Sequence, residues 1–193
     1  MQMITWVVIV VLLVGFFTMM IGINREWWRG LDQWAFLHVT NQQDQRFWHQ
    51  VAFWGQPWLT VAWIIAISLW WLLQGQWLLT TWTLGVLGIA NVIGIITKKV
   101  VSRTRPVGHL PHDDDFSFPS GHVLGLTLLV NLLIFYWPSW WVVLLAILWW
   151  LLVASSRLVL RAHHLSDLIG TLCFAQAWFL ICDKLLSLVW LKF

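Results

Sequence analysis

The sequence predicts an all-α integral membrane protein, a six-transmembrane-helix bundle with interfacial helices between spans one and two. Three observations predict it. Only 10% of the residues are charged, against about 25% in an ordinary soluble domain. Several stretches carry almost no charge over the ~17 or more residues that a helix needs to cross a hydrocarbon core about 30 Å thick. The chain also holds 19 tryptophans, a residue that favours the membrane–water interface. Its 193 residues suffice for one membrane-embedded domain over residues 1–193.

Span one covers Met3 to Ile23. It lacks a basic leader region and a small-residue cleavage site, so it reads as a retained helix and not a removed signal peptide. Residues 24–50 mix Trp and Phe with charge, a composition suited to short helices lying in the interface. Span two runs from Trp58 to Leu73, with a possible earlier start near Val51, and span three from Trp77 to Thr97. Span four covers Gly121 to Trp137, span five Trp140 to Ser155, and span six Leu168 to Leu191. The links "LQGQ" and "YWPSW" are so short that spans two and three, and spans four and five, must be antiparallel hairpins. No internal repeat stands out. Cys173 and Cys182 are nine residues apart, about 13 Å along a helix and beyond disulfide reach.

Counting spans places residues 24–50, residues 98–120 and the link from Arg157 to Asp167 at one membrane face. Nine of the eleven Lys and Arg residues fall there. By the positive-inside rule that face would be cytoplasmic. The net charge of +3 is too small and too localised for nucleic acid, and suits anionic lipid or a phosphate better.

Lys98 and Arg105-Pro106 form K-x6-R-P at the end of span three, and Pro119-Ser120-Gly121-His122 opens span four. Ser156-Arg157, His163 and Asp167 form S-R-x5-H-x3-D between spans five and six. Lys98, Arg105 and Arg157 are fixed cations with too few nearby acids to pair them, so an anionic ligand is expected. Arginine's planar fork suits phosphate. The N-terminus of span four would add backbone N–H groups at Ser120, Gly121 and His122, with the helix dipole behind them. Gly121 allows close approach, and the Ser120 hydroxyl can donate to an oxygen.

His163 and Asp167 are four apart and share a helix face. The carboxylate is expected to accept the Nδ1–H of His163 and leave Nε2 as a nucleophile. His122 offers a second imidazole as general acid. His164 is one residue off that register and reads as a pocket or interface residue. Asp113, Asp114 and Asp115, beside His109 and His112, read as a solvated loop and not a metal site, since three adjacent acids do not all face one ion easily. Arg103 and Arg161 suit either a second phosphate or lipid headgroups, or plain interfacial snorkelling. Asp183 and Lys184 read as anchoring charges.

The three motifs, in this order and at these places between spans, resemble those of the type-2 phosphatidic acid phosphatase superfamily, in particular its bacterial membrane lipid phosphatases. The superfamily also includes vanadium haloperoxidases. The resemblance implies metal-independent hydrolysis of a phosphate ester through a phosphohistidine on His163, oriented by Asp167, with His122 protonating the leaving group. It implies phosphate binding by Lys98, Arg105, Ser120, Gly121 and Arg157, and no cofactor. The substrate it implies is an isoprenoid or glycerolipid phosphate, such as undecaprenyl pyrophosphate, phosphatidylglycerophosphate, phosphatidic acid or diacylglycerol pyrophosphate. Phospholipid metabolism or recycling of a cell-wall lipid carrier is the corresponding process. The bilayer is the expected partner, with no nucleic acid and no obligate protein partner. It also implies a multi-pass cell-membrane protein whose site faces the extracytoplasmic side, against the charge count. Two other readings use the same cations: a non-catalytic anion transporter, for which the histidines would be superfluous, and vanadate-dependent halide oxidation, which the small membrane-bound chain disfavours.

Overall fold

A computed structural model describes residues 2–39, 45–108 and 116–190. Eight helices occur among the described residues: α1 (Gln2–Asn24), α2 (Arg29–Val39), α3 (Gln45–Phe53), α4 (Pro57–Leu73), α5 (Trp77–Val101), α6 (Gly121–Tyr136), α7 (Trp140–Val159) and α8 (Leu165–Trp190). His109, His112, Asp113, Asp114, Asp115 and Lys192 lie outside the described residues.

Local chemistry sets the helix ends. Pro57 opens α4, where its missing N–H has no partner to lose. Gly75, at φ 73°, turns α4 back into α5 in a conformation that favours glycine. Ser102 closes α5 in the left-handed region and donates its N–H to the Lys98 carbonyl at 3.0 Å. Ser120 caps α6 and Ser139 caps α7, each through its side-chain oxygen.

Three span ends differ from the sequence expectation, and all three bear on the site. Helix α5 runs on to Val101, α7 runs on to Val159, and α8 begins at Leu165. Lys98 and Arg157 are therefore helical residues in last turns, and Asp167 lies in a first turn. Hydropathy ends a span at its first charge, whereas the helix continues until its backbone hydrogen bonds are capped.

Among the described residues, five helical segments are long and apolar enough to cross a membrane: Met3–Asn24, Gln45–Leu73, Trp77–Val101, Trp140–Val159 and Leu165–Val189. Helix α6 is apolar but only 16 residues long, about 24 Å. It is the central helix, packed against α4, α5, α7 and α8. Protein rather than lipid covers most of its surface, which explains an apolar character without a polar face. Gly125 lets α4 approach α6 closely, because a Cβ there would lie 2.4 Å from Thr60 Oγ1.

Helix α1 lies along α8, and α2 rests on α7 and α8. Phe118, fully buried, stacks on Phe16 of α1 at 6.0 Å, and Phe16 meets Phe174 of α8 at 5.1 Å. Three tryptophan N–H groups inside the bundle are paired between helices. Trp82 Nε1 donates to the Cys182 carbonyl at 2.8 Å, Trp178 Nε1 to the Val86 carbonyl at 2.9 Å, and Trp150 Nε1 to Thr127 Oγ1 at 2.8 Å. Such pairs are needed where no water can substitute. Both cysteines are free thiols.

Candidate active site

The site gathers where α5 and α7 end and α6 and α8 begin. Phe118 and Gly170 fix its floor: a Cβ on Gly170 would stand 2.6 Å from Phe118 Cε2. Only glycine lets α8 close over the Phe118 ring. The segment preceding α6 is tied down further by Ser117 N–H donating to the Arg103 carbonyl at 2.8 Å, beside an antiparallel bridge between Thr104 and Phe116.

His163, only 4% exposed, sits in the link between α7 and α8. Its Nδ1 lies 2.7 Å from the backbone carbonyl of Ser117. A carbonyl can only accept, so Nδ1 carries the proton. Its Nε2 lies 3.4 Å from Arg105 Nη1, and a guanidinium can only donate. Both neighbours therefore select the same neutral tautomer, with the lone pair on Nε2. Burial, foremost, lowers the pKa of His163 to about 4; Arg157 and Arg105 push the same way, while Asp167 opposes them. The imidazole is neutral at physiological pH.

This corrects the expected Asp167–His163 hydrogen bond. The Asp167 Oδ2 to His163 Nδ1 distance is 3.8 Å, too long for one. Asp167 is instead the third residue of α8, and its Oδ2 reaches back to accept the His164 N–H at 2.9 Å. That is one half of a capping box. Its Oδ1 is ion-paired with Arg103 Nη1. The four-residue spacing did put both side chains on one side, but the backbone carbonyl of a distant loop reached the imidazole first.

Ser120 differs from expectation as well. Its N–H is not directed at a ligand but donates to Thr171 Oγ1 at 2.9 Å, while its side chain accepts from Val123 N–H as the α6 cap at 3.5 Å. Gly121, the first residue of α6, keeps an N–H with no acceptor within the helix. A Cβ there would meet nothing nearer than Pro57 Cγ at 3.5 Å, so its own neighbours do not demand glycine.

Two of the predicted cations, Arg105 and Arg157, act directly on His163. Arg105 Nη1 also donates to the Ala162 carbonyl at 2.5 Å, which holds it beside His163. Arg157 is buried in the last turn of α7 and Lys98 is half-buried in the last turn of α5. His122 is the second residue of α6, with Nε2 shielded from solvent. Arg161 takes a left-handed backbone (φ 55°) and places its guanidinium 4.9 Å over the Phe36 ring of α2.

A cavity of about 660 Å³ adjoins the site, bounded by the end of α1, by α2, by Arg103, Thr104, Pro106 and Val107, and by His164. A small pocket lined by His163, His164 and Arg161 shares Asp32, Phe36, Pro106 and His164 with it. His164 is thus a pocket residue, as its register implies; burial lowers its pKa as well. Among the described residues no cluster of His, Cys, Asp or Glu has the makings of a metal site.

Sequence reasoning passed over Ser117, Asp32, Ser166 and Thr171, and left Arg103 undecided. Arg103 had a signal, standing two residues before Arg105 in the K-x6-R-P segment. Asp32 had none beyond being a lone acid in an aromatic helix.

The family model of the PAP2 superfamily matches residues 79–187. Among solved structures, the chain is similar to a transmembrane PAP2 type phosphatidylglycerolphosphate phosphatase from Bacillus subtilis, at 20% identity and a TM-score of 0.80, covering 92% of this chain and 94% of that one. No curated protein matches the chain.

Proposed function

Given that the chain belongs to the PAP2 superfamily, we propose that it is a membrane lipid phosphatase that removes the terminal phosphate of an isoprenoid or glycerolipid (pyro)phosphate. The observation that carries this reading is the fixed Nδ1–H tautomer of His163, with Nε2 beside Arg105. A nucleophilic imidazole needs one nitrogen held by an acceptor and the other turned to the electrophile.

The chemistry follows from those positions. Lys98, Arg105 and Arg157, with the Gly121 N–H and the Ser120 hydroxyl, bind the phosphate and balance its charge. The Nε2 lone pair attacks phosphorus and the bond to the leaving oxygen breaks. His122 gives that oxygen its proton. The phosphorylated imidazole is cationic, and the Ser117 carbonyl with the nearby Asp167 carboxylate stabilises it. His122 then takes a proton from water, the hydroxide attacks phosphorus, the N–P bond breaks, and phosphate leaves with His163 neutral again. No step calls for a metal, because three side-chain cations meet the phosphate.

The structural relative's phosphatidylglycerolphosphate makes that glycerolipid the first substrate to try, with undecaprenyl pyrophosphate, phosphatidic acid and diacylglycerol pyrophosphate beside it. The site is assigned to the extracytoplasmic face, and its surplus of cations to phosphate and interface. The test is phosphate release from this panel by purified protein in detergent, with EDTA throughout. Release from at least one lipid, lost in His163→Ala, is expected. No release from any of them overturns the reading, and release that appears only when magnesium replaces EDTA overturns its metal-independent chemistry.

A further inference from the structure

Helix α2 reaches the site through one side chain. Asp32 is 7% exposed, and its carboxylate is saturated by groups from two distant segments. Its Oδ1 accepts the Ser166 N–H at 2.9 Å. Its Oδ2 accepts the Ser166 hydroxyl at 2.8 Å and Arg103 Nη2 at 2.6 Å. Arg103 Nη1 in turn donates to Ser166 Oγ at 2.7 Å and is paired with Asp167 Oδ1. Ser166 and Asp167 are fully buried. Asp32 therefore caps α8 from outside, satisfying a first-turn N–H that has no partner within the helix. It also completes an acid–arginine–acid chain that ends against the Asp167 carboxylate.

We propose that Asp32 is a positioning residue for His163: through Arg103 and Ser166 it holds Asp167 and the start of α8, and it sets the charge facing the nucleophile. This rests on the reading of His163 as nucleophile. A cap alone needs a hydrogen-bond acceptor. This one carries full charge and grips an arginine whose other branch holds Asp167. The cluster of Asp32, Arg103 and Asp167 sums to one negative charge. The charged groups acting on His163 are Asp167 from α8, Arg157 from α7 and Arg105 from the segment after α5. His163 thus lies between an anionic cluster and a cationic cradle. The first stabilises the positive imidazole formed on phosphorylation, and the second holds the phosphate.

The two ends of the chain have opposite signs, which separates a charge-setting role from a structural one. The measurement is the pKa of His163 by NMR of ¹⁵N-histidine-labelled full-length protein in micelles, its resonance assigned with His163→Ala. Asp32→Asn removes a negative charge and should lower that pKa. Arg103→Gln removes a positive charge and should raise it by about one unit. Asp32→Asn with Arg103→Gln should return it toward the wild-type value. Shifts in the same direction, or none, overturn the proposal. Where Asp32→Asn does not fold, Arg103→Gln carries the test alone, and absence of an upward shift overturns it. In the assay, Asp32→Asn should lower kcat about ten- to hundred-fold with KM little changed, since the phosphate cradle is untouched. An unchanged kcat, or a loss confined to KM, overturns the proposal. A wild-type protein that turns over no lipid phosphate refutes the function, while the NMR titration still decides the charge coupling.

Discussion

His163 and Ser117, 46 residues apart, are joined by a 2.7 Å hydrogen bond from the imidazole Nδ1–H to a backbone carbonyl. A carbonyl cannot be protonated at working pH, so this contact fixes the tautomer more firmly than a titrating carboxylate would. In the proposed mechanism it makes His163 the nucleophile rather than His164, whose backbone N–H serves Asp167 instead.

His163→Ala is therefore expected to abolish turnover and any trapped phosphoenzyme. His122→Ala should slow turnover severely, yet still form phosphoenzyme from a substrate with a good leaving group. His164→Ala should retain phosphoenzyme. Acid-quench trapping with a radiolabelled lipid phosphate distinguishes the three, and phosphoenzyme in His163→Ala would contradict the assignment.

Asp167→Asn should be milder than the loss of a classical orienting carboxylate. Such carboxylates are worth about four orders of magnitude, because their loss leaves the wrong tautomer. Here Ser117 keeps the tautomer, so a loss of about ten- to hundred-fold is expected. The fold should lose stability as well, by about 1–3 kcal/mol, because Arg103 loses one of its two charged partners and keeps only Asp32. Steady-state kinetics and thermal unfolding in detergent check both parts.

Gly121→Ala and Gly170→Ala should fail differently. At Gly121 the nearest neighbour is Pro57 Cγ at 3.5 Å, so the alanine variant should fold normally but bind phosphate or vanadate more weakly. At Gly170 a Cβ would strike Phe118 at 2.6 Å and Met19 Cβ at 3.1 Å, so alanine there should lower the melting temperature. Comparing vanadate inhibition with melting temperature for the pair tests the distinction.

Stability should fall with acid in a defined window. The unfolded chain takes up a proton on residue 163 near pH 6.5, whereas the native site refuses one until about pH 4. The unfolded state binds more protons between those values, so stability is full above pH 6.5, declines as pH falls toward 4, and levels off below. The contribution at stake is about 3 kcal/mol. His163→Asn should flatten this part of the profile, and parallel curves for the two proteins would contradict the account.

Topology is decided by labelling. Val107, 84% exposed beside the site, is replaced by cysteine in a chain lacking Cys173 and Cys182. An impermeant thiol reagent should modify it in intact cells. Protection until lysis would place the site in the cytoplasm, as the distribution of cations taken alone suggests.

The sequence by itself determined the bundle and the cast. Hydropathy, tryptophan content and short links specify long apolar helices. The spacing of Lys98, Arg105, His122, Arg157, His163 and Asp167 puts the candidate site residues at or beside helix ends. These are local properties, set by neighbours a few residues away. Tertiary structure alone decided who bonds to whom. The Ser117 carbonyl, and not Asp167, holds His163. Thr171 takes the Ser120 N–H, and Asp32 reaches 134 residues along the chain to Ser166. A backbone carbonyl has no residue type to reveal it. A buried acid such as Asp32 looks like any surface acid until packing strips its water, and each polar group must then find a partner wherever the fold supplies one.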